Sequence, residues 1–267
     1  FREISCSGRN ARLQERHVPP KRIVEFEFPL PRTHAGIALG NGTFGALVWG
    51  VDQLHVTVNR SDFWDHRGAE YLQEGVSYRR LLAAYDPDEP AKVQEVFQQA
   101  RTPVPPGVRY PSRMPMGRFE LALGRGFRPR RGILDATTGV LRVQVVRRRE
   151  SREISLALHP SRPLLQVGAP AGTIATVRPR PAWEWLGEEM AKYRFAPPVL
   201  LDADDGVGWA QECPDDPAMA AVARSAGSDL MIAMCPGKSA AEAIATALAE
   251  IHRAPSRRAF LAETRAW

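Results

Sequence analysis

Seven consecutive residues, Asp62-Phe63-Trp64-Asp65-His66-Arg67-Gly68, hold the densest chemistry in the chain: two carboxylates, an imidazole, a guanidinium and two aromatic rings. Aromatic faces beside a carboxylate and a guanidinium suit sugar recognition, because rings match the apolar faces of a pyranose and polar groups match its hydroxyls. Trp64, Asp65, His66 and Arg67 are therefore the candidate contact residues, to substrate or to a neighbouring domain. The same residues admit a structural reading, with Asp65 pairing Arg67 and Trp64 in the core. Loops on rigid scaffolds carry function disproportionately. A second aromatic and acidic segment, Trp183-Glu184-Trp185 with Glu188 and Glu189, suits a carbohydrate groove or an ordinary covering loop or strand. Glycoside hydrolysis needs two carboxyl groups at a set separation in space, which spacing along a chain does not supply. An aldose epimerase needs a His base and a Glu acid on facing strands, and His55, His159 and Glu120 are the residues available for those roles.

Other motifs point away from cofactor chemistry. Gly40-Asn41-Gly42-Thr43-Phe44-Gly45 matches G-x-G-x-x-G, but a dinucleotide site needs a strand before it and a helix after it. Here a Pro-rich stretch precedes and a β-hairpin pattern follows, so the glycines read as a turn entering a strand. Asp202-Ala203-Asp204-Asp205-Gly206 is as acidic as a calcium loop but lacks the alternating ligand spacing and the Glu at position 12. It reads as a solvated acidic loop. The six histidines form no H-x-x-x-H or H-E-x-x-H pair, and no G-x-S-x-G is present. Cys6, Cys213 and Cys235 cannot all pair within one chain and show no C-x-x-C spacing. No metal, no cofactor and no catalytic residue is assigned. The cysteine usage slightly favours a cytoplasmic setting; the chain begins at Phe1, so a preceding signal peptide stays open.

These residues sit in a chain of 267, enough for one large domain or one with a helical attachment. The hydrophobic fraction of 44% and charged fraction of 25% are those of a globular protein, which excludes disorder, collagen and coiled coil. No apolar run reaches the roughly 18 residues of a membrane helix. The net charge is +6, but the only dense basic run is Arg147-Arg148-Arg149 with Arg152 close behind. No recognition helix or aromatic and basic platform accompanies it, so no nucleic-acid partner is expected, and the run reads as solvated Arg at a strand-end turn. The 23 prolines favour loops over long helices. Alternation at Leu54, Val56 and Val58, at Phe119, Leu121 and Leu123, and at Ile154, Leu156 and Leu158 predicts half-buried strands, with more at 44–49, 134–146, 164–177 and 230–234. Such spacing predicts an antiparallel sandwich or barrel. Helices are expected over 77–101, from Val93, Val96, Phe97 and Ala100, and over 239–267, opened by a Ser239/Glu242 capping box with Ile244, Leu248 and Ile251 as its stripe. A last helix from Ser256 carries Phe260, Thr264 and Trp267 on one face and reads as part of something longer.

Residues 39–50, Leu-Gly-Asn-Gly-Thr-Phe-Gly-Ala-Leu-Val-Trp-Gly, and 54–68, ending Ser-Asp-Phe-Trp-Asp-His-Arg-Gly, resemble the opening of the bacterial six-hairpin glycosidases related to glycoside hydrolase family 95. There a P-x-G-N-G-x-x-G-A-x-V-x-G strand precedes a second strand and an acidic-Trp loop; here Ile37-Ala38-Leu39 replaces the residues before Gly-Asn-Gly. Pro115-Met116-Gly117-Arg118-Phe119-Glu120-Leu121 and the helix from Arg258 to Trp267 are similar as well. The resemblance implies a mainly β chain: an antiparallel β-supersandwich of the galactose-mutarotase type. Its expected layout is an extended lead-in at 1–35, a sandwich at 36–235 with a helical insertion near 77–101, and a helical linker at 236–267. The linker would lead to an (α/α)6 barrel carrying the general acid and base. The chain would be the non-catalytic N-terminal module of a glycoside hydrolase, with α-L-fucosides among the family substrates, and its partners would be carbohydrate and that barrel. A stand-alone sugar-binding domain and a mutarotase-like epimerase are the alternatives.

Overall fold

The computed structural model describes residues 22–68, 76–99, 106–203, 206–226 and 229–266. In chain order the elements are β1 (Ile23–Glu27), β2 (Ile37–Gly40), β3 (Phe44–Trp49), β4 (Leu54–Arg60), β5 (Trp64–Asp65), α1 (Tyr78–Ala84) and α2 (Ala91–Gln99). There follow β6 (Ser112–Arg113), β7 (Gly117–Leu123), β8 (Arg128–Asp135), β9 (Val140–Arg147), β10 (Glu150–Leu158), β11 (Leu164–Gly168), β12 (Ile174–Pro181) and α3 (Trp183–Lys192). The rest are β13 (Val199–Ala203), β14 (Gly206–Gln211), β15 (Ala218–Ala226), β16 (Asp229–Gly237), α4 (Ala240–His252) and α5 (Arg257–Ala266). Nine strands make one antiparallel sheet, in the order β1-β8-β9-β10-β11-β16-β15-β14-β13. Five make a second, β12-β7-β4-β3-β2, and β5 pairs β6 in a short ribbon.

The two sheets pack face to face through the alternating residues. Leu54, Val56, Val58, Phe119 and Leu121 of the smaller sheet meet Leu141, Val143, Ile154, Leu156, Ile232 and Met234 of the larger in one apolar cluster. The larger sheet is also covered on its other face. In β15, Met219, Ala221 and Ala223 point into the sandwich, whereas Ala218, Ala220 and Val222 point outward, beneath α4 and Phe260 of α5. That double burial explains why five of the nine residues of β15 are alanine: small side chains let a helix approach the sheet closely. At Gly237 a Cβ would stand 2.3 Å from the Ala243 nitrogen.

Several elements differ from the sequence expectation. The 77–101 segment is two helices, because Pro87 and Pro90 fix φ and lack an N–H; of its apolar stripe Val96 is buried, and Ala100 lies outside the described residues. Trp183-Glu184-Trp185 opens a helix, not a loop or strand. The β14–β15 hairpin lies outside the expected strands, since alanine and glycine carry little strand signal. In α4 the buried stripe is Ala240, Ala243, Ala247 and Ile251, with Ile244 and Leu248 only partly covered. Ser239 caps that helix by accepting from the Glu242 N–H at 3.3 Å, while the Glu242 carboxylate reaches back to the Lys238 N–H at 3.0 Å. Trp267, Cys6 and the lead-in through residue 21 lie outside the described residues. From Ile23 the chain pairs with β8 as an edge strand. Among the described residues no helix is long and apolar enough to cross a membrane.

The Gly-Asn-Gly turn joins the two sheets. Gly42 has φ +91°, a left-handed conformation that favours glycine. Asn41 accepts from the Thr43 and Phe44 N–H groups at 3.1 and 2.8 Å. Its side-chain amide donates to the carbonyls of His159 and Arg162, at 2.9 and 3.0 Å, across in the β10–β11 loop.

Candidate functional site

The 61–68 loop leaves the end of β4 and is fastened at each step. Arg60 chelates the Asp62 carboxylate at 2.8 and 2.7 Å. Phe63 is buried, and its carbonyl accepts from the Met114 N–H at 2.9 Å. Asp65 is 1% exposed. Arg67 grips it with two parallel bonds, Nε to Oδ1 at 2.8 Å and Nη2 to Oδ2 at 3.0 Å. The same guanidinium donates to the Tyr193 carbonyl at 2.6 Å and lies 4.8 Å over the Phe195 ring. The hydrogen bond that Arg67 donates to Asp65 raises the Arg67 pKa. Asp65 and Arg67 therefore form a closed, buried pair, as the structural reading of the sequence had it. Trp64 is only half-buried, which that reading did not have.

Trp64 and His66 face outward. Their rings stack with centroids 6.1 Å apart, Trp64 Nε1 donates to the Ser61 carbonyl at 2.6 Å, and Arg113 lies 5.5 Å over the indole. The His66 side chain is 61% exposed. Asp216, from the β14–β15 loop, takes both the His66 N–H at 2.7 Å and Nδ1 at 2.8 Å. A carboxylate only accepts, so Nδ1 carries a proton toward Asp216. Asp216 lies 150 residues from His66, and no sequence signal links them. Cys213 sits close by; burial, with Asp216 and Asp65 beside it, pushes its thiol up to about 12. Burial likewise pushes Cys235 up to about 11, so these two thiols stay protonated at neutral pH.

A second cluster covers the open face of the five-stranded sheet. His55 and Glu120 stand directly opposite each other on β4 and β7, with Nδ1 to Oε1 at 3.7 Å. Register, which the sequence does not display, brings these two epimerase candidates together. Arg118 binds Glu120 at 3.0 and 3.2 Å, and Arg180 reaches its other oxygen at 3.4 Å while pairing with Glu184. Arg118 also lies between the Trp49 and Trp185 rings, at 5.5 and 4.9 Å, and Trp49 stacks on His55 at 4.1 Å. Burial pushes the Glu120 carboxyl up, but the Arg118 hydrogen bond and the charges of Arg180 and Arg118 outweigh it, leaving it below the ordinary value. Burial and then Arg118 lower the His55 pKa, with Glu120 only partly opposing them. Of the sequence candidates, Glu184 and Trp185 join this cluster. Trp183 packs on the core, and Glu189 pairs with Lys192 at 3.0 Å. Trp49, Arg118 and Arg180 were missed; cross-strand pairing is the signal that groups them.

His159 lies elsewhere. Its Nδ1 accepts from the Ser161 and Arg162 N–H groups, both at 3.2 Å, its Nε2 is 2.8 Å from Glu263 of α5, and Phe260 meets the ring edge-on at 5.2 Å. Burial lowers its pKa, with the Glu263 charge opposing and Arg162 adding to the effect. In the unfolded chain a histidine titrates near 6.5. The contributions of His159 and His55 are thus complete above pH 6.5 and are lost as the pH falls toward their lower folded values. Urea unfolding at pH 5.5 should give lower stability than at pH 7.5, with a smaller difference in His159→Gln. Equal stabilities at the two pH values would contradict this account.

Among the described residues no three His, Cys, Asp or Glu side chains stand close enough to hold a metal ion. No protein-family model matches the sequence, and no curated protein matches it. Among solved structures, the chain is similar to one provisionally described as a kojibiose phosphorylase from the human microbiome, with a TM-score of 0.41 and 10% identity. The match covers 86% of this chain and 31% of the other, so this chain spans about a third of that protein's length. The resemblance to glycoside hydrolase family 95 rests on the quoted sequence motifs alone.

Proposed function

We propose that this chain is the non-catalytic N-terminal sandwich module of a glycoside hydrolase, with α-L-fucosides among the candidate substrates. In this reading the sandwich packs on a C-terminal (α/α)6 barrel, and the Trp64–Arg67 loop lies at the barrel's substrate entrance. The observation that carries it is the division of labour within the loop. A buried Asp65–Arg67 pair anchors it, Asp216 holds His66, and the exposed His66 ring, with the half-buried Trp64 indole stacked beside it, is left to meet a sugar or the neighbouring domain. Hydrolysis of a glycosidic bond needs a carboxylic acid able to donate a proton. Asp62 and Glu120, each bound by guanidinium and held below the ordinary carboxylate value, are poor donors. The epimerase reading meets the same obstacle: Glu120 is held ionised and His55 neutral, which gives two bases and no acid.

The test is Trp64→Ala and His66→Ala in the parent enzyme. Each should lower kcat/KM about tenfold, equivalent to about 1.4 kcal/mol of transition-state stabilisation, with the circular dichroism and unfolding midpoint retained. Unchanged kinetics in both variants would remove the loop from the substrate entrance. Steady turnover of an aryl glycoside by the isolated chain would refute the non-catalytic role.

A further inference from the structure

An open cleft of about 670 Å³ lies where the β7–β8 turn meets the β9–β10 turn, lined by Arg125, Gly126, Arg147, Arg148, Arg149 and Glu150. The two turns are locked together beneath it. Phe127, 3% exposed, is flanked by the guanidiniums of Arg147 and Arg152 at 4.5 and 4.7 Å from its ring centre. Arg147 also donates to the Arg125 carbonyl at 3.2 Å. Glu150, the cleft's one carboxylate, binds both of those flanking guanidiniums, Arg152 at 2.7 Å and Arg147 through Oε2. Its charge is fully answered there. Arg128 alongside faces Asp52 at 3.3 Å.

Arg125, Arg148 and Arg149 remain. Their side chains are exposed, and no carboxylate among the described residues reaches them. Arg147 and Glu150 are register partners, so Arg148-Arg149 is a two-residue hairpin turn. Arg148 has φ +54°, in the left-handed region where a turn of this kind favours Gly or Asn. Backbone strain at a non-glycine residue persists where surrounding structure enforces it, and it concentrates at functional positions. Here the strain keeps a third guanidinium on a rigid rim instead of the residue the turn prefers.

We propose that this cleft binds the sulfate or phosphate group of an anionic ligand, with Arg125, Arg148 and Arg149 as its donors. The planar guanidinium fork matches a tetrahedral oxyanion through paired N–H bonds. The locked hairpins fix the backbone that carries the donors, which removes part of the ordering cost of binding. The cleft is open, so the interaction weakens as salt rises. The site stands independently of the role assigned to the Trp64 loop.

The test is calorimetric titration of the 267-residue chain at low ionic strength, with inorganic phosphate, a sulfated heparin tetrasaccharide and its desulfated form as probes. Phosphate and the sulfated probe should bind saturably, the desulfated probe should not, and Arg125→Ala/Arg149→Ala should weaken binding at least tenfold. Tighter binding of the sulfated saccharide than of phosphate assigns the anion to a saccharide; equal affinity assigns it to the free ion. Arg148→Gly should raise the unfolding midpoint by relieving the turn and still weaken binding, a combination that a purely structural arginine would not give. The proposal is overturned if these variants bind as the wild type does, or if chloride at matched ionic strength displaces the probes equally well.

Discussion

Asp65→Ala should destabilise the chain by about 3–5 kcal/mol in urea unfolding, far more than loss of a surface ion pair, which costs at most about 1 kcal/mol. The reason is what remains. Arg67, with only 6% of its side chain exposed, would keep its charge and its bond to the Tyr193 carbonyl but lose its counter-ion inside the fold. A buried ion pair is not itself a strong stabiliser, since its attraction mostly offsets the desolvation of two charges. The double variant Asp65→Leu/Arg67→Met should therefore recover most of the loss, and the coupling in that cycle should reach several kcal/mol. If Asp65→Ala costs less than about 1 kcal/mol, water reaches Arg67 and the pair does not anchor the loop. The distinction matters for function. Trp64 and His66 have the same neighbours whether or not they meet a sugar, but they are held in one orientation only if the segment between them is fixed.

How much of this was legible beforehand depends on the range of the interactions. The β3–β4 hairpin and β7 were readable because Leu54, Val56, Val58 and Phe119 alternate with polar residues at period two, a local signal. The Asp65–Arg67 pair was readable because its members are two residues apart. The sequence also singled out His55, Glu120, Glu184 and Trp185, but not as one group. Their grouping depends on the β4–β7 register and on Arg118 lying between two indoles that come from distant segments. Asp216 was out of reach for the same reason. β15 was missed for another: its alanines face two apolar layers, so no period appears, and alanine has low strand propensity. Burial on both faces overrode that propensity. In the 183–192 segment the short Trp-Glu-Trp run hid a helical pattern that becomes visible only with Leu186 and Met190 packed against the core.

Phe260→Ala should cost about 3–5 kcal/mol, lowering the unfolding midpoint by roughly 2–4 °C per kcal/mol for a chain of this size. Phe260 is fully buried among the alanines of α4 and the outer face of the large sheet, edge-on to His159. Three polar contacts flank it: Arg257 to Asp229 at 3.4 Å and to Ser155 at 2.8 Å on one side, Glu263 to His159 on the other. Helices in water owe most of their stability to packing, so these contacts hold α5 on the sheet. Removing the ring leaves a cavity between small side chains that have little freedom to fill it, which places the cost near the upper end for this substitution. Phe260→Leu keeps most of the volume and should cost under about 1.5 kcal/mol. The same substitution to alanine admits water to His159, so the loss of stability between pH 7.5 and 5.5 should shrink in that variant. Amide exchange in 257–264 should quicken more than in β15 and β16. If Phe260→Ala instead costs less than about 1 kcal/mol and leaves that exchange unchanged, α5 rests on the sheet without belonging to its cooperative core.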